Sequence, residues 1–83
     1  GYCAATAERL GHIYRHRGMW PVAMVYYGRA LREDETVDRV LLYARAAKHS
    51  GAHIKARLAL QRALPRYPAK QEQIRQQIQE LNP

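Results

Sequence analysis

The chain of 83 residues has no phenylalanine, one cysteine (Cys3), one asparagine (Asn82) and half as many acidic as basic side chains. A single thiol cannot close an internal disulfide, so Cys3 gives the fold no staple and does not fix the compartment; cytoplasm and periplasm both stay open. No apolar run approaches the roughly 20 residues that a membrane-spanning helix needs. No signal peptide is visible. No glycine-rich phosphate loop is present, and no nucleophile has an evident base beside it, so the chain reads as a binding protein and not an enzyme, with no cofactor. No segment alternates apolar and polar residues as a strand does. The start at Gly1, without Met, is what a fragment, a processed form or a tagged chain would show.

What is present is basic and rich in small residues. Fourteen Lys and Arg against seven Asp and Glu leave a formal charge of +7. That balance favours acidic partners: protein carboxylates, nucleic acid or anionic lipid. Arg outnumbers Lys, a bias that points to a GC-rich bacterial source. Hydrophobic residues make up 47% and charged residues 25%, as in a folded soluble domain rather than a disordered segment. The length allows one domain, residues 1–83.

The chain repeats itself at a shift of 33 residues. Gly18 falls on Gly51, Ala23 on Ala56, Ala30 on Ala63 and Leu31 on Leu64. Tyr27 falls on Leu60, Gly11 on Ala44, Leu10 on Tyr43 and His16 on His49. Small residues recurring in register are the mark of repeated helix crossings.

Periodicity supplies the units. Ala7, Leu10, Gly11 and Tyr14 follow i, i+3, i+4, i+7, which is one face of a helix. Gly18 breaks the chain, and Pro21 suits the first turn of a second helix. That helix buries Ala23, Tyr27, Ala30 and Leu31. The run Glu33-Asp34-Glu35-Thr36 makes a turn, and Thr36 or Asp38 is placed to cap a third helix. Val40, Tyr43, Ala44 and Ala47 give the third helix its stripe, and Ser50-Gly51 closes it. A fourth helix carries Ala56, Leu60, Ala63 and Leu64, with Pro65 and Pro68 at its end. A fifth, about 69–81, carries Ile74, Ile78 and Leu81 on one side, with a Gln- and Glu-rich remainder that suits a solvent-facing cap.

This pattern resembles the tetratricopeptide repeat family. Leu10-Gly11, Tyr14, Gly18, Ala23, Tyr27 and Ala30 match the family's first and second helices closely. In the second unit Tyr43, Ala44 and Ala47 match less well, and Gly51, Ala56, Leu60, Ala63 and Pro68 recover the pattern. Two departures stand out. Ala7 takes the place of a large residue, which suggests an end repeat or a cut array. Glu35 stands where the family usually has Pro, which loosens the turn. The resemblance implies an all-α superhelix of about five antiparallel helices: repeat one at about 4–36, repeat two at about 37–70, and a capping helix at about 69–81. It also implies a curved groove lined mainly by the first helix of each repeat, holding an extended peptide or a partner helix as a scaffold or adaptor does.

Removing the packing residues from the groove-lining helices leaves Glu8, His12, Arg15 and His16 on the first. The third is left with Leu41, Arg45, Lys48 and His49, and the cap with Glu72, Arg75 and Gln79. Residues 37–70 hold eight basic side chains and one acidic, a net of +7, while residues 1–36 and 71–83 stand at +1 and −1. The expected ligand is an acidic or C-terminal carboxylate peptide, gripped by Arg45, Lys48 and Arg15 through guanidinium forks. The Asn residues of the family's carboxylate clamp are absent, so that clamp is not expected. His12/His16 and His49/His53 have the spacing of a metal chelate, but no Cys or carboxylate ligand stands clearly beside them, so the reading is no metal. Trp20 is expected to pack across the repeat turn.

Two other readings stay open. Arg and Tyr together suit nucleic acid, so a helical repeat that binds RNA is one. The other is self-association, as a homodimer or with neighbouring repeats of a longer array, through an uncovered N-terminal end formed by Tyr2, Ile13, Met24 and Tyr26.

Overall fold

The structure, a computed structural model, describes residues 3–82. It contains five α-helices in this order: α1 (Ala4–His16), α2 (Trp20–Glu33), α3 (Val37–His49), α4 (His53–Ala63) and α5 (Gln71–Glu80). A short 3-10 turn, Pro68–Lys70, precedes α5. No strand occurs among the described residues. Each helix packs on the next, and α5 also touches α3. The fold is all-α, with the helices stacked in chain order.

The repeat seen in the sequence is repeated in the backbone. Both α1 and α3 have 13 residues. Each ends in a glycine with positive φ, 72° at Gly18 and 80° at Gly51. Only glycine adopts that conformation without strain, so it is the natural stop. The bonds that close the two helices coincide. The Gly18 amide donates to the Arg15 carbonyl at 2.9 Å and the Met19 amide to Tyr14 at 2.9 Å. The Gly51 amide donates to Lys48 at 3.1 Å and the Ala52 amide to Ala47 at 2.8 Å. The opposite turn, between α2 and α3, carries a side-chain cap: Thr36 Oγ1 accepts from the Arg39 amide at 3.1 Å. Of the two residues suited to that cap, Thr36 fills it and Asp38 sits in the first turn, where its charge complements the helix N-terminus.

Burial follows the stripes. Ala23, Tyr27 and Ala46 form one cluster, packed by Tyr14, Trp20, Met24 and Tyr43. Val40, Ala44, Ala47, Ala56, Leu60, Ala63, Ile74 and Leu81 form another, reaching from α3 through α4 to α5. Tyr27 lies so close to α1 that a Cβ on Gly11 would stand 2.5 Å from two of its ring carbons.

Polar contacts pin the turns at the end away from the glycines. Arg39 donates to Glu8 at 3.0 Å, to the Asp34 carboxylate at 3.0 Å and to the Asp34 carbonyl at 2.9 Å, tying α1, the α2–α3 turn and α3 together. Glu35 does not leave its turn loose. Its carboxylate accepts from Arg66 at 3.2 Å and from the Tyr67 hydroxyl at 2.5 Å, so it clips the α2–α3 turn to the end of α4. The bond to Glu35 pushes the Tyr67 hydroxyl above the usual phenol range.

Candidate functional site: a concave groove over α3

At 3.6 residues per turn, Asp38, Leu41, Leu42 and Arg45 share one side of α3, while Val40 and Tyr43 lie on the other. The first set lines an open groove of about 430 Å³ with Arg15 of α1 and with Gln73, Gln76, Gln77 and Glu80 of α5. A smaller hollow of about 50 Å³ continues it, lined by Arg45, Lys48, His49, Gln77 and Glu80 above Ala44 and Leu60. The floor is the leucine pair, and the walls are arginine on one side and glutamine on the other.

Several residues expected from the sequence meet here, and others do not. Arg15, Leu41, Arg45, Lys48 and His49 line the groove or its continuation. His49 also stacks on Trp20, with centroids 4.2 Å apart and planes 21° from parallel. Arg15 lies over the same indole at 5.9 Å. Trp20 therefore packs across the repeat turn, with His49 and Arg15 against its ring. His12 is held inside its repeat. It shares a 2.7 Å hydrogen bond with the Tyr27 hydroxyl and faces Glu8 at 3.5 Å through Nε2. A carboxylate opposite Nε2 favours the proton there, so Nδ1 accepts from Tyr27. Burial pushes the Tyr27 hydroxyl above its ordinary value, and Arg15 beside it pulls the other way. His16 and Arg75 are exposed and line none of the described hollows. Among the described residues no group of three or more His, Cys, Asp or Glu is placed to hold a metal.

The structure brings into the groove residues that the sequence did not place there: Asp38, Leu42, Gln73, Gln76, Gln77 and Glu80. The groove is therefore less uniformly basic than the charge of residues 37–70 implies. Glu80 is 3.5 Å from Lys48, and the two largely answer one another. Arg45 is exposed and has no ion pair or hydrogen bond among the described residues. Asp38 lies two turns away, about 10 Å along α3. The groove thus has a cationic end and an anionic end.

The up-and-down path of the chain explains where the charge goes. Arg15, Arg17, Lys48 and Lys55 come together where α1 and α3 finish and α2 and α4 begin, with His16, His49 and His53 beside them. At the other end Glu33, Asp34, Glu35 and Asp38 stand among Arg32, Arg39, Arg62 and Arg66. Cations thus stand at both ends of the stack, and the acidic cluster of the α2–α3 turn stands at one.

The N-terminal side is better covered than expected. Met24 is half-buried and packs against both core clusters, because α3 covers that side of α2. Tyr26 stacks on Tyr14 with centroids 5.5 Å apart, and Arg29 lies over it at 5.4 Å. Ile13 is exposed, at 40%. Tyr2 lies outside the described residues. The large apolar side chains most open to solvent are instead Val25, Ile54 and Leu58, on α2 and α4.

No helix among the described residues is long and apolar enough to cross a membrane. Comparison with protein-family models, curated proteins and solved structures finds no match.

Proposed function

We propose that this chain is a protein-interaction module of the tetratricopeptide kind, holding an extended acidic peptide along the concave groove over α3. The observation that carries the reading is the pairing of Arg45, exposed and unpartnered among the described residues, with the glutamine wall of α5. An extended peptide has unpaired backbone N–H and C=O groups, and glutamine amides both donate and accept. Arg45, with Arg15 near it, offers guanidinium forks for a carboxylate from a side chain or from the chain end. Leu41 and Leu42 give apolar contact beneath. Asp38 at the far end sets direction: it disfavours acidic residues there and so orients the guest.

The test is fluorescence anisotropy with a labelled ten-residue Glu-rich peptide carrying a free C-terminus. Replacing Arg45 and Lys48 together by Glu is expected to weaken binding at least tenfold; equal affinity for the double variant overturns the reading. Amidating the peptide's C-terminus tells which carboxylate is gripped. A single-stranded RNA that binds more tightly than the peptide, and loses affinity steeply with salt, points to nucleic acid instead. Trp20 speaks against that outcome, because its ring is already faced by His49 and Arg15 and is not open for base stacking.

A further inference from the structure

The opposite side of α3 carries a second concavity. Val40 and Tyr43 form the bottom of a cleft of about 790 Å³ whose walls are α2 and α4. Both walls pack on α3, which leaves the gap between them open above it. Met24, Val25, Gly28 and Leu31 line it from α2, and Leu58, Ala59 and Ala63 from α4. Val25 is 52% and Leu58 54% exposed, and Ile54, one turn before Leu58, is 77% exposed. Gly28 and Ala59 are small, so a guest backbone can come close. The rim is cationic. Arg32, Lys55, Arg62 and Arg66 border the cleft against one carboxylate, Glu35. Glu35 is already bound to Arg66 and Tyr67. Arg32, Lys55 and Arg62 are exposed and have no ion pair or hydrogen bond among the described residues.

We propose that this cleft docks an amphipathic helix of a partner protein, with an apolar stripe flanked by acidic residues. The shape of the guest follows from its hydrogen bonds. Apart from Tyr43 and the charged rim, the residues that line the cleft are apolar or glycine. An extended peptide laid there would leave its backbone N–H and C=O groups without partners, at a cost of several hydrogen bonds. A helix satisfies those groups internally and brings only side chains to the surface, at i, i+3, i+4 and i+7. The charge of the guest follows from the rim. Arg32 and Arg62 sit in the last turns of α2 and α4 and have no ion pair among the described residues, so acidic residues on the guest meet unanswered cations there. A second copy docked through the same face does not fit, because it would bring one cationic rim against another. The two faces of α3 thus suit different guests: an extended peptide where glutamines line the wall, and a helix where no backbone partner is offered.

The experiment uses the whole chain, labelled for NMR, and two designed 18-residue helical peptides. One has a leucine stripe flanked by Glu, and the other has the same stripe flanked by Lys. The Glu-flanked peptide is expected to shift the resonances of Val25, Gly28, Leu58 and Ala59, and to bind at least tenfold more tightly than the Lys-flanked one. Leu58→Ser with Val25→Ser, both at exposed positions that leave the core intact, is expected to weaken it tenfold or more. Arg32→Glu with Arg62→Glu is expected to reverse the preference between the two peptides. Circular dichroism confirms that these variants stay folded. Equal binding of the two peptides overturns the proposal, as do shifts confined to Leu41, Arg45 and Gln77. So does binding to phosphatidylserine vesicles, lost in the Val25/Leu58 variant, when neither peptide binds; that result makes the cleft a membrane contact. A concentration-dependent dimer abolished by the same variant also overturns it. The cleft variants leave Arg45 untouched, so the acidic-peptide assay reads the concave groove independently.

Discussion

The α1–α2 and α3–α4 pairs turn through the same hydrogen bonds yet are packed with different side chains. In the first, the Tyr27 ring presses on Gly11, and a methyl group there would be 2.5 Å from two ring carbons. In the second, 33 residues on, Leu60 and Ala44 occupy the corresponding places in one apolar cluster. The larger side chain faces the smaller partner and the smaller side chain the larger. The pair, more than either residue, is what the crossing holds constant. The consequence is chemical as well as steric. Tyr27 brings a hydroxyl into the first crossing and must find it a partner, which is why His12 is turned inward. Leu60 needs none, and Arg45, the counterpart of His12 at the 33-residue shift, stays available to the groove.

The harshest way to break the comparison is to empty both crossings. Leu60→Ala is expected to cost about 2–5 kcal/mol. Tyr27→Ala should cost about 3–5 kcal/mol, because a ring is lost and His12 loses its partner. Chains of this length have roughly 4–12 kcal/mol in all, so urea midpoints will drop far and Tyr27→Ala will populate the unfolded state most. If Leu60→Ala proved the worse of the two, the aliphatic crossing would be the keystone and the expected order would be reversed.

Gly11→Ala is smaller in effect but more diagnostic. In an open helix that change gains about 1 kcal/mol. Here the new methyl meets the Tyr27 ring, and overpacking of this kind costs about 1–3 kcal/mol. Adding Tyr27→Leu turns the first crossing into a copy of the second. The double variant is expected to be more stable than the sum of the two single changes by at least about 0.5 kcal/mol, as residues in contact couple. Strict additivity in a double-mutant cycle would show that the two positions are not sharing one volume.

Much of the fold is legible in the chain, and the crossings show why. Glycines at a 33-residue spacing, the stripes and the Thr36 cap are local signals, and each is set by a residue's own turn of helix. The groove is only partly legible. Ile74, Ile78 and Leu81 fix the buried stripe of α5, but either flank of that stripe could turn to the groove. Glu72, Arg75 and Gln79 stand on one flank, Gln73, Gln76, Gln77 and Glu80 on the other, and only the docking of α5 on α3 and α4 selects the second. Met24 departs from expectation for a similar reason. A stripe read from one helix cannot show that α3 covers a second side of α2. Ala46, buried beside Tyr27 and outside the third helix's stripe, is the same effect seen from α3. The Lys48–Glu80 contact, between residues 32 apart, has no local signature at all.

The start of α3 separates the two repeats in another way. It has a side-chain cap, whereas the residue before α1, Cys3, makes no such bond. Thr36→Ala is expected to cost about 1 kcal/mol, seen in the urea midpoint. It should also loosen Arg39, whose amide the threonine accepts from and whose guanidinium holds Glu8 and Asp34. Hydrogen exchange that quickens at the start of α3, with α4 unchanged, is the expected pattern. Uniform quickening would mean that the cap supports the whole stack.

The smallest expected effect lies in alkaline solution, and it comes from the phenols. Burial pushes the hydroxyls of Tyr27 and Tyr43 up, and the bond to Glu35 does the same for Tyr67. A raised value means that the folded state holds the neutral phenol more firmly than the unfolded chain, where tyrosine titrates near about 10. This contribution is complete below that pH. Above it the unfolded state sheds its proton first, so stability falls as pH climbs through the folded values. Tyr27→Phe removes one such group from the first crossing and should flatten the fall in urea midpoint above about pH 10. The same variant is less stable at neutral pH by about 1 kcal/mol, because His12 loses a hydrogen bond. Leu60 has no proton to lose, so Leu60→Val should leave the slope unchanged while lowering the whole curve. If the two variants shared one slope, the alkaline loss would belong to Tyr43 and Tyr67, and the chemical difference between the crossings would be confined to neutral pH.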